Sequence, residues 1–393
     1  MLEDNKQWDE LGIEEITIQR HAAAALKRYL REKNVRHIVL VTDRTLQDVA
    51  CRELATTLSS AGFSVEACIV KGNELNDVVA DEAAIVQVLL QCPANTEILI
   101  AVGSGTIHDI TRFSSYKMKL PFLSYPTAPS VDGFNSKGAP LVIRGEKITF
   151  PAQAPLALFA DTELLTRAPK AMIAAGFGDI LGKYTSLADW RFGHLFAQEA
   201  YHEQAAAMTE VALKSCIEHI DELAEAKERG VKMLMEALVL SGLAMLVTGN
   251  SYPASGAEHH LSHYWEMNFL RQKKRQILHG AKVGVSTQII ASLYKQEVAK
   301  LLNESDSPDI VTHLHEIQHI IAGIPSPERL KKWMARIGGP TSIAELGVSE
   351  ELLDESLAHA HTLRDRYTML RFRNEFVHRN HTVADNLKSK STR

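Results

Sequence analysis

Two kinds of hydrophobic spacing divide the chain. Over residues 1–165, short and mostly β-branched apolar runs (36–42, 64–70 and 97–102) alternate with stretches of helical period, 47–61 and 76–91. Further strand signals fall at 121–125, 141–143, 147–150 and 156–160, with Arg144-Gly145-Glu146 placed to close a hairpin. Strand and helix in alternation, with strands apolar throughout, predict a parallel sheet covered on both faces. Beyond Asp161, a good N-cap residue, the period becomes helical nearly everywhere, as over 231–246, 279–294 and 310–321. The expected fold is therefore an α/β domain over 1–165, with a parallel sheet, followed by an all-α domain over 166–393.

Composition narrows the function classes. The 393 residues carry 43 Lys+Arg against 48 Asp+Glu, a net charge of −5. That balance offers no footprint for nucleic acid or an anionic membrane. No stretch reaches the roughly 18 uninterrupted apolar residues of a spanning helix, and 233–247, the richest, reads as a buried globular helix. The acidic opening Met1-Leu2-Glu3-Asp4 is not a secretory signal. Cys51, Cys68, Cys92 and Cys216 are widely spaced and read as buried thiols of a reducing compartment. A cytoplasmic protein is expected. The basic end, 388–393, reads as a solvated tail.

The run 97–102 leads directly into Gly103-Ser104-Gly105-Thr106-Ile107-His108-Asp109, which opens a helix. Free backbone N–H groups and a positive helix end suit a pyrophosphate there. His108 occupies the place of the third glycine of G-x-G-x-x-G, so the motif is incomplete and an ordinary strand-to-helix turn competes with it. Its position at a parallel strand's C-terminal end favours a ligand role. Asp43, ending the first run, suits either an adenosine ribose or a simple turn.

Among the 17 histidines three groups stand out. His315-Glu316-Ile317-Gln318-His319 spells the zincin pattern and leaves a zinc hydrolase as a remote alternative, but it lacks the downstream context of those families. With His313 it reads as helix surface. His359, His361, His378 and His381 also read as surface. The third group is Ser255-Gly256-Ala257-Glu258-His259-His260-Leu261-Ser262-His263. Ser255-x-x-Glu258 predicts a capping box and a helix start, and His259 and His263 share a face near its positive end, which favours neutral rings. His279 opens another helix, and Asp179 is a carboxylate set among small and apolar neighbours that needs a cationic partner. On spacing alone, Asp179 with these histidines makes a candidate Asp/His/His metal set, against which stands the reading of scattered helix-cap residues.

Several segments, taken in order, resemble the metal-dependent polyol dehydrogenase superfamily of glycerol dehydrogenase, iron-type alcohol dehydrogenase and 3-dehydroquinate synthase. They are Gly103 to Asp109, Pro126-Thr127-Ala128-Pro129-Ser130-Val131-Asp132-Gly133, Gly178-Asp179, Glu258-His259 with Ser262-His263, His279-Gly280 and Gly338-Gly339-Pro340-Thr341-Ser342. Asp132-Gly133-Phe134-Asn135-Ser136 and the Ser-Gly-Ala-Glu-His start at Ser255 look like its sn-glycerol-1-phosphate dehydrogenase family, in the bacterial branch. The resemblance implies a Rossmann-like domain, a helical domain and an active site in the cleft between them. It implies reversible reduction of dihydroxyacetone phosphate to sn-glycerol 1-phosphate with NAD(H) or NADP(H), feeding glycerophospholipid synthesis. The alternative within the superfamily is a glycerol dehydrogenase acting on unphosphorylated glycerol or dihydroxyacetone.

Carried over by position, Asp179, His259 and His279 would hold one divalent metal, with His260 a rival to His259; nickel is favoured by resemblance, with zinc or iron also compatible. Asp132, Asp179 and His263 would contact substrate, with Asp132 and His263 in the catalytic role and His263 or a water relaying the proton. Gly103, Ser104, Gly105, Thr106, Ile107, Asp109, Thr127, Ala128, Pro129, Ser130 and Ser136 would contact the nicotinamide cofactor. Lys137 and Lys183 are candidates for the substrate phosphate. A homodimer is the family expectation.

Overall fold

The structure, a computed structural model, describes residues 5–378. Eight strands occur among them: β1 (Glu15–Gln19), β2 (His37–Asp43), β3 (Ser64–Val70), β4 (Ile98–Gly103), β5 (Phe122–Pro126), β6 (Gly138–Ile143), β7 (Glu146–Pro151) and β8 (Ala157–Asp161). Six of them make one parallel sheet in the order β1-β8-β5-β4-β2-β3. β4 and β5 are buried at every position, which explains their largely apolar sequence, broken only by Ser124, whose hydroxyl bonds His108. Alternate side chains feed two separate cores. Ile38, Leu40, Ile98 and Ile100 pack on one face, and Val39, Val41, Leu99 and Ala101 on the other.

β6 and β7 form an antiparallel hairpin outside that sheet. Arg144 and Gly145 both take positive φ at its tip, as a tight two-residue turn requires. The sequence pattern missed β1. Its five residues alternate polar and apolar at the sheet edge, burying only Ile16 and Ile18, too short a signal to stand out. The stretch 76–91 also differs from expectation. Helix begins only at Glu82, where Asp81 caps it by accepting from the Ala84 N–H at 2.9 Å. The stretch 47–61 opens as a π turn, Gln47–Cys51, before the helix Arg52–Ser59.

After β8, Asp161 caps the next helix through the Glu163 N–H at 3.0 Å, as its sequence position predicts. The remaining elements are helical, among them Lys170–Leu181, Lys183–Ala197, Glu203–Glu218, Glu228–Thr248, Ala257–Arg271, His279–Leu293 and Pro308–Gly323. One continuous core built on Phe177, Leu238, Leu243, Trp265 and Tyr294 joins them. Glu228–Thr248 is apolar enough for a membrane span, yet 72% of its apolar window is buried inside the fold. Cys51, Cys68 and Cys216 are buried and Cys92 half-buried, all as free thiols. His381 and the basic 388–393 end lie outside the described residues.

One helix crossing is especially tight. The helices Lys170–Leu181 and His279–Leu293 meet so closely that a Cβ on Gly178 would lie 2.2 Å from the Gly280 oxygen. A Cβ on Gly280 would lie 1.7 Å from the Ala175 oxygen. Only paired glycines let these backbones approach, and the residues beside them are Asp179 and His279.

Candidate active site

Asp179, His259 and His279 come together at that crossing. One ligand-type atom from each lies within 4.8 Å of the others, the only such group of three among the described residues. Asp179 is wholly buried and His259 nearly so. His263, one turn after His259, completes a triangle of rings, with centroids 6.3 Å from His259 and 5.7 Å from His279. His260 points elsewhere. It is fully buried with neither ring nitrogen hydrogen-bonded, and burial pushes its pKa down to about 3.

The predicted capping box at Ser255 does not form. Gly256 is the N-cap, and the Ser255 hydroxyl is without a hydrogen-bond partner. Glu258 accepts from the Gly256 N–H at 2.6 Å and the Thr185 hydroxyl at 2.6 Å, and Asp189 accepts from the Ala257 N–H at 2.8 Å. The Glu258 carboxylate also holds His259 Nδ1 at 2.7 Å, leaving Nε2 facing Asp179 at 3.5 Å. Carboxylate support of this kind fixes a ligand imidazole's tautomer and orientation.

The expectation of neutral rings, made for His259 and His263, holds for His263 and not for His259. Burial drives His279 down to about 3 and His263 well below its usual value. Burial also opposes a charge on His259, but Asp179 and Glu258 outweigh it and raise its pKa. Carboxylates that favour an imidazolium would equally favour a divalent cation, and one carboxylate with two imidazoles is a normal donor set for such a metal. The residues therefore fit the metal that the resemblance implies.

Lys183 corrects an expectation. Its fully buried ammonium donates to Asp132 Oδ2 at 2.7 Å, Asp179 Oδ1 at 3.1 Å and the Ala254 carbonyl at 2.9 Å. It is committed to the two carboxylates and is not free for a phosphate. Burial would lift the Asp179 pKa, but Lys183 and the histidines hold it far down. Asp132 moves the other way, raised by burial and by Asp179. Asp132 also accepts from the Ser241 hydroxyl at 2.9 Å, and its backbone N–H donates to Asp179 Oδ2 at 3.0 Å. Lys137 is exposed.

The glycine turn lies where the sequence placed it. β4 ends at Gly103, paired with Pro126 at the end of β5, so the turn and the Thr127–Ser130 loop leave adjacent strand ends. Thr127 N–H donates to the Gly103 carbonyl at 3.1 Å. A Cβ on Gly103 would meet Ile107 at 2.6 Å, so the turn tolerates no side chain there. His108 ties the turn to the sheet. Its Nδ1 donates to the Ser104 carbonyl at 2.9 Å and its Nε2 accepts from the Ser124 hydroxyl at 2.7 Å. Ser104, Gly105 and Thr106 stay half-buried at the mouth, while Ile107 packs inward. Asp109 pairs with Arg112 at 2.6 Å, and Ser136 Oγ accepts from the Gly138 N–H at 2.9 Å. Asp43 accepts from the Leu46 N–H at 2.8 Å, the turn-forming arrangement.

The other histidine groups do not assemble. On Pro308–Gly323, His315 and His319 are exposed, and Glu316 pairs with Arg191. His359 and His378 are exposed, but His361 is half-buried, with Nδ1 2.9 Å from Asn374 Nδ2, so it is not a surface residue as expected. Lys147, Glu266, Lys282 and Arg364 escaped sequence reasoning. They gather around His263, and only Lys282, set in the apolar Gly280-Ala281-Lys282-Val283-Gly284, carried a sequence signal.

The parallel sheet with its strand-end turn is that of the glycerol and iron-type alcohol dehydrogenase fold, and residues 17–169 match the iron-containing alcohol dehydrogenase family. Glycerol dehydrogenase from Schizosaccharomyces pombe superposes with a TM-score of 0.69 at 19% identity, covering 97% of this chain and 92% of that one. Glycerol-1-phosphate dehydrogenase [NAD(P)+] from Geobacillus stearothermophilus is 51% identical, over 94% of each chain. The enzyme of the same name from Bacillus subtilis is 46% identical, over 93% of this chain and 92% of its own. The chain belongs to the glycerol-1-phosphate dehydrogenase family.

Proposed function

We propose that the protein reversibly reduces dihydroxyacetone phosphate to sn-glycerol 1-phosphate with NADH or NADPH. The observation that carries this reading is the convergence of Asp179, His259 and His279 beside His263. It is supported by relatives that share about half the sequence. Asp179, His259 and His279 would hold a divalent metal, nickel first, with zinc and iron as the other candidates. Such a metal, when bound, supplies Lewis-acid polarisation of the ketone, and the nicotinamide supplies the hydride.

The chain's own residues do the rest. The turn from Gly103 to Thr106, with Ile107 and Asp109 behind it, and the loop Thr127, Ala128, Pro129 and Ser130 with Ser136 form the cofactor cradle. Asp132 and Asp179 orient substrate, locked by Lys183 and Ser241. His263, with Nδ1 facing Glu266 at 3.4 Å, or a water beside it, relays the hydroxyl proton in the oxidation direction. In this reading the chain divides near residue 165 into cofactor and metal domains, and the enzyme is a cytoplasmic homodimer. The four free cysteines suit that location.

The test follows NADH loss with dihydroxyacetone phosphate and with dihydroxyacetone, before and after chelation and on adding back nickel, zinc or iron. Activity that survives metal removal overturns the ligand assignment. Preference for the unphosphorylated ketone moves the reading to a glycerol dehydrogenase.

A further inference from the structure

Beside the metal triad, His263 sits between opposed charges. Its Nε2 accepts from Arg364 Nη2 at 3.2 Å, and its Nδ1 faces Glu266 at 3.4 Å. Glu266 in turn holds Lys147 Nζ at 2.8 and 2.9 Å and Lys282 Nζ at 3.2 Å. Arg364 Nη1 donates to the Ser251 hydroxyl at 3.2 Å. Two lysines thus share one carboxylate, and Arg364, close enough to feel its charge, is the third cation beside it. Asp109, also near Lys147, is already bound by Arg112. Lys282 keeps only 2% of its side-chain surface, whereas Lys147 and Glu266 keep 17% and 16%, so the group is half-enclosed with one wetted side.

A surplus of two positive charges in so enclosed a place is costly unless an anion completes it. We propose that Lys147, Lys282 and Arg364 form the subsite for the phosphate monoester of the substrate. This rests on the proposed reduction of dihydroxyacetone phosphate. A phosphate monoester near neutral pH carries close to two negative charges, which matches the surplus. In dihydroxyacetone phosphate only a methylene and an ester oxygen separate the carbonyl from phosphorus. A ketone placed at the Asp179, His259 and His279 cluster therefore carries its phosphate past His263, where the cations stand. Lys282 is one turn from His279 on the same helix, so metal and phosphate sites are held in fixed relation. Lys147 comes from the β6–β7 hairpin and Arg364 from the C-terminal segment, so the subsite draws together three distant parts of the chain. Arg364, the one with planar paired donors, suits phosphate oxygens best.

The experiment compares metal-loaded wild type with Arg364→Met, Lys282→Met and Lys147→Gln. It measures kcat/KM for dihydroxyacetone phosphate and dihydroxyacetone, and inhibition by inorganic phosphate against each substrate. The expected result is a fall of about 30-fold or more in the preference for the phosphorylated ketone in Arg364→Met and Lys282→Met. Phosphate is expected to compete with dihydroxyacetone phosphate in wild type and to lose potency in the variants. Should the buried Lys282→Met fail to fold, the more exposed Lys147→Gln and Arg364→Met carry the test. An unchanged preference, equal loss for both ketones, or phosphate competing with NADH overturns the proposal. If wild type turns over neither ketone, the functional reading fails separately. Calorimetry with inorganic phosphate then decides the subsite: binding lost in Arg364→Met supports it, and binding absent from wild type or unchanged in the variant overturns it.

Discussion

Glu258 and His259, neighbours in the chain, are joined through their side chains, with the carboxylate 2.7 Å from the imidazole Nδ1. The same carboxylate takes the Gly256 N–H and the Thr185 hydroxyl, so it cannot turn away from the ring without abandoning the helix start. Glu258→Gln should keep the fold, since an amide replaces a carboxylate of equal size, but loosen His259. Metal affinity is expected to fall about 10- to 100-fold, read from chelator competition. Unchanged affinity would mean that His259 needs no such support.

Removing a member of the triad should do more than weaken it. Asp179→Ala and His259→Ala are each expected to lower activity by about a thousandfold or more, because the lost polarisation is worth several kcal/mol. His315→Ala, on an exposed helix face, should leave activity within about twofold. Metal analysis of the purified variants separates the readings, and metal lost from His315→Ala would revive the zincin alternative.

Legibility in the sequence depended on local context. Asp161, the Gly103 turn and the Asp179, His259, His279 set stand in recognisable surroundings; Asp161 caps its helix, the turn follows β4, and the three side chains converge. The hairpin at Arg144-Gly145 also declared itself, because a tight turn demands particular backbone angles. β1 did not, since an edge strand of five residues buries only two side chains. The capping box failed because Glu258 faces the interior, where Thr185 and His259 claim it. Lys147, Glu266 and Arg364 come from distant elements and meet only through tertiary packing, which no periodicity encodes. Lys183 was visible as a candidate, but its commitment to Asp132 and Asp179 required the fold.

The glycine crossing gives a prediction at a residue that supplies no ligand atom itself but adjoins one that would. Gly280→Ala puts a methyl 1.7 Å from the Ala175 carbonyl oxygen, so the two helices must separate. Overpacking of this kind costs about 1–3 kcal/mol, and here it also moves His279 away from Asp179. Lower denaturation midpoint and weaker metal binding are expected together. Gly323→Ala, with no atom within 4 Å of the new Cβ, is the matched control. Equal behaviour of the two variants would show that the crossing does not set the metal site.

Acid should unfasten the contact between Glu228 and Arg20. Glu228 accepts from Arg20 Nε at 2.8 Å and from the Thr162 hydroxyl at 2.6 Å, and these bonds hold its pKa down to about 2, from 4.5 unfolded. A carboxyl depressed in the folded state stabilises fully above its unfolded value, and that contribution is lost as pH falls toward the folded one. Glu228→Gln should therefore be less stable than wild type near neutrality. The gap should close between about pH 4.5 and pH 2, as urea titrations at several pH values would show. A gap independent of pH would assign the effect to packing.

Lys183 offers the sharpest link between stability and the metal. Its buried ammonium is the cation that neutralises Asp132 and Asp179 when no metal is bound. Lys183→Met removes that charge while keeping most of the side chain's bulk, leaving two buried carboxylates facing each other. Breaking a buried pair in this way typically costs about 3–5 kcal/mol, so the metal-free variant should unfold at clearly lower urea. A divalent cation on Asp179 would take over part of the lost neutralisation. Added nickel or zinc should then raise the midpoint of Lys183→Met more than that of wild type. If the metal stabilises both proteins equally, Lys183 and the metal do not act on the same carboxylate, and Asp179 loses its place among the ligands.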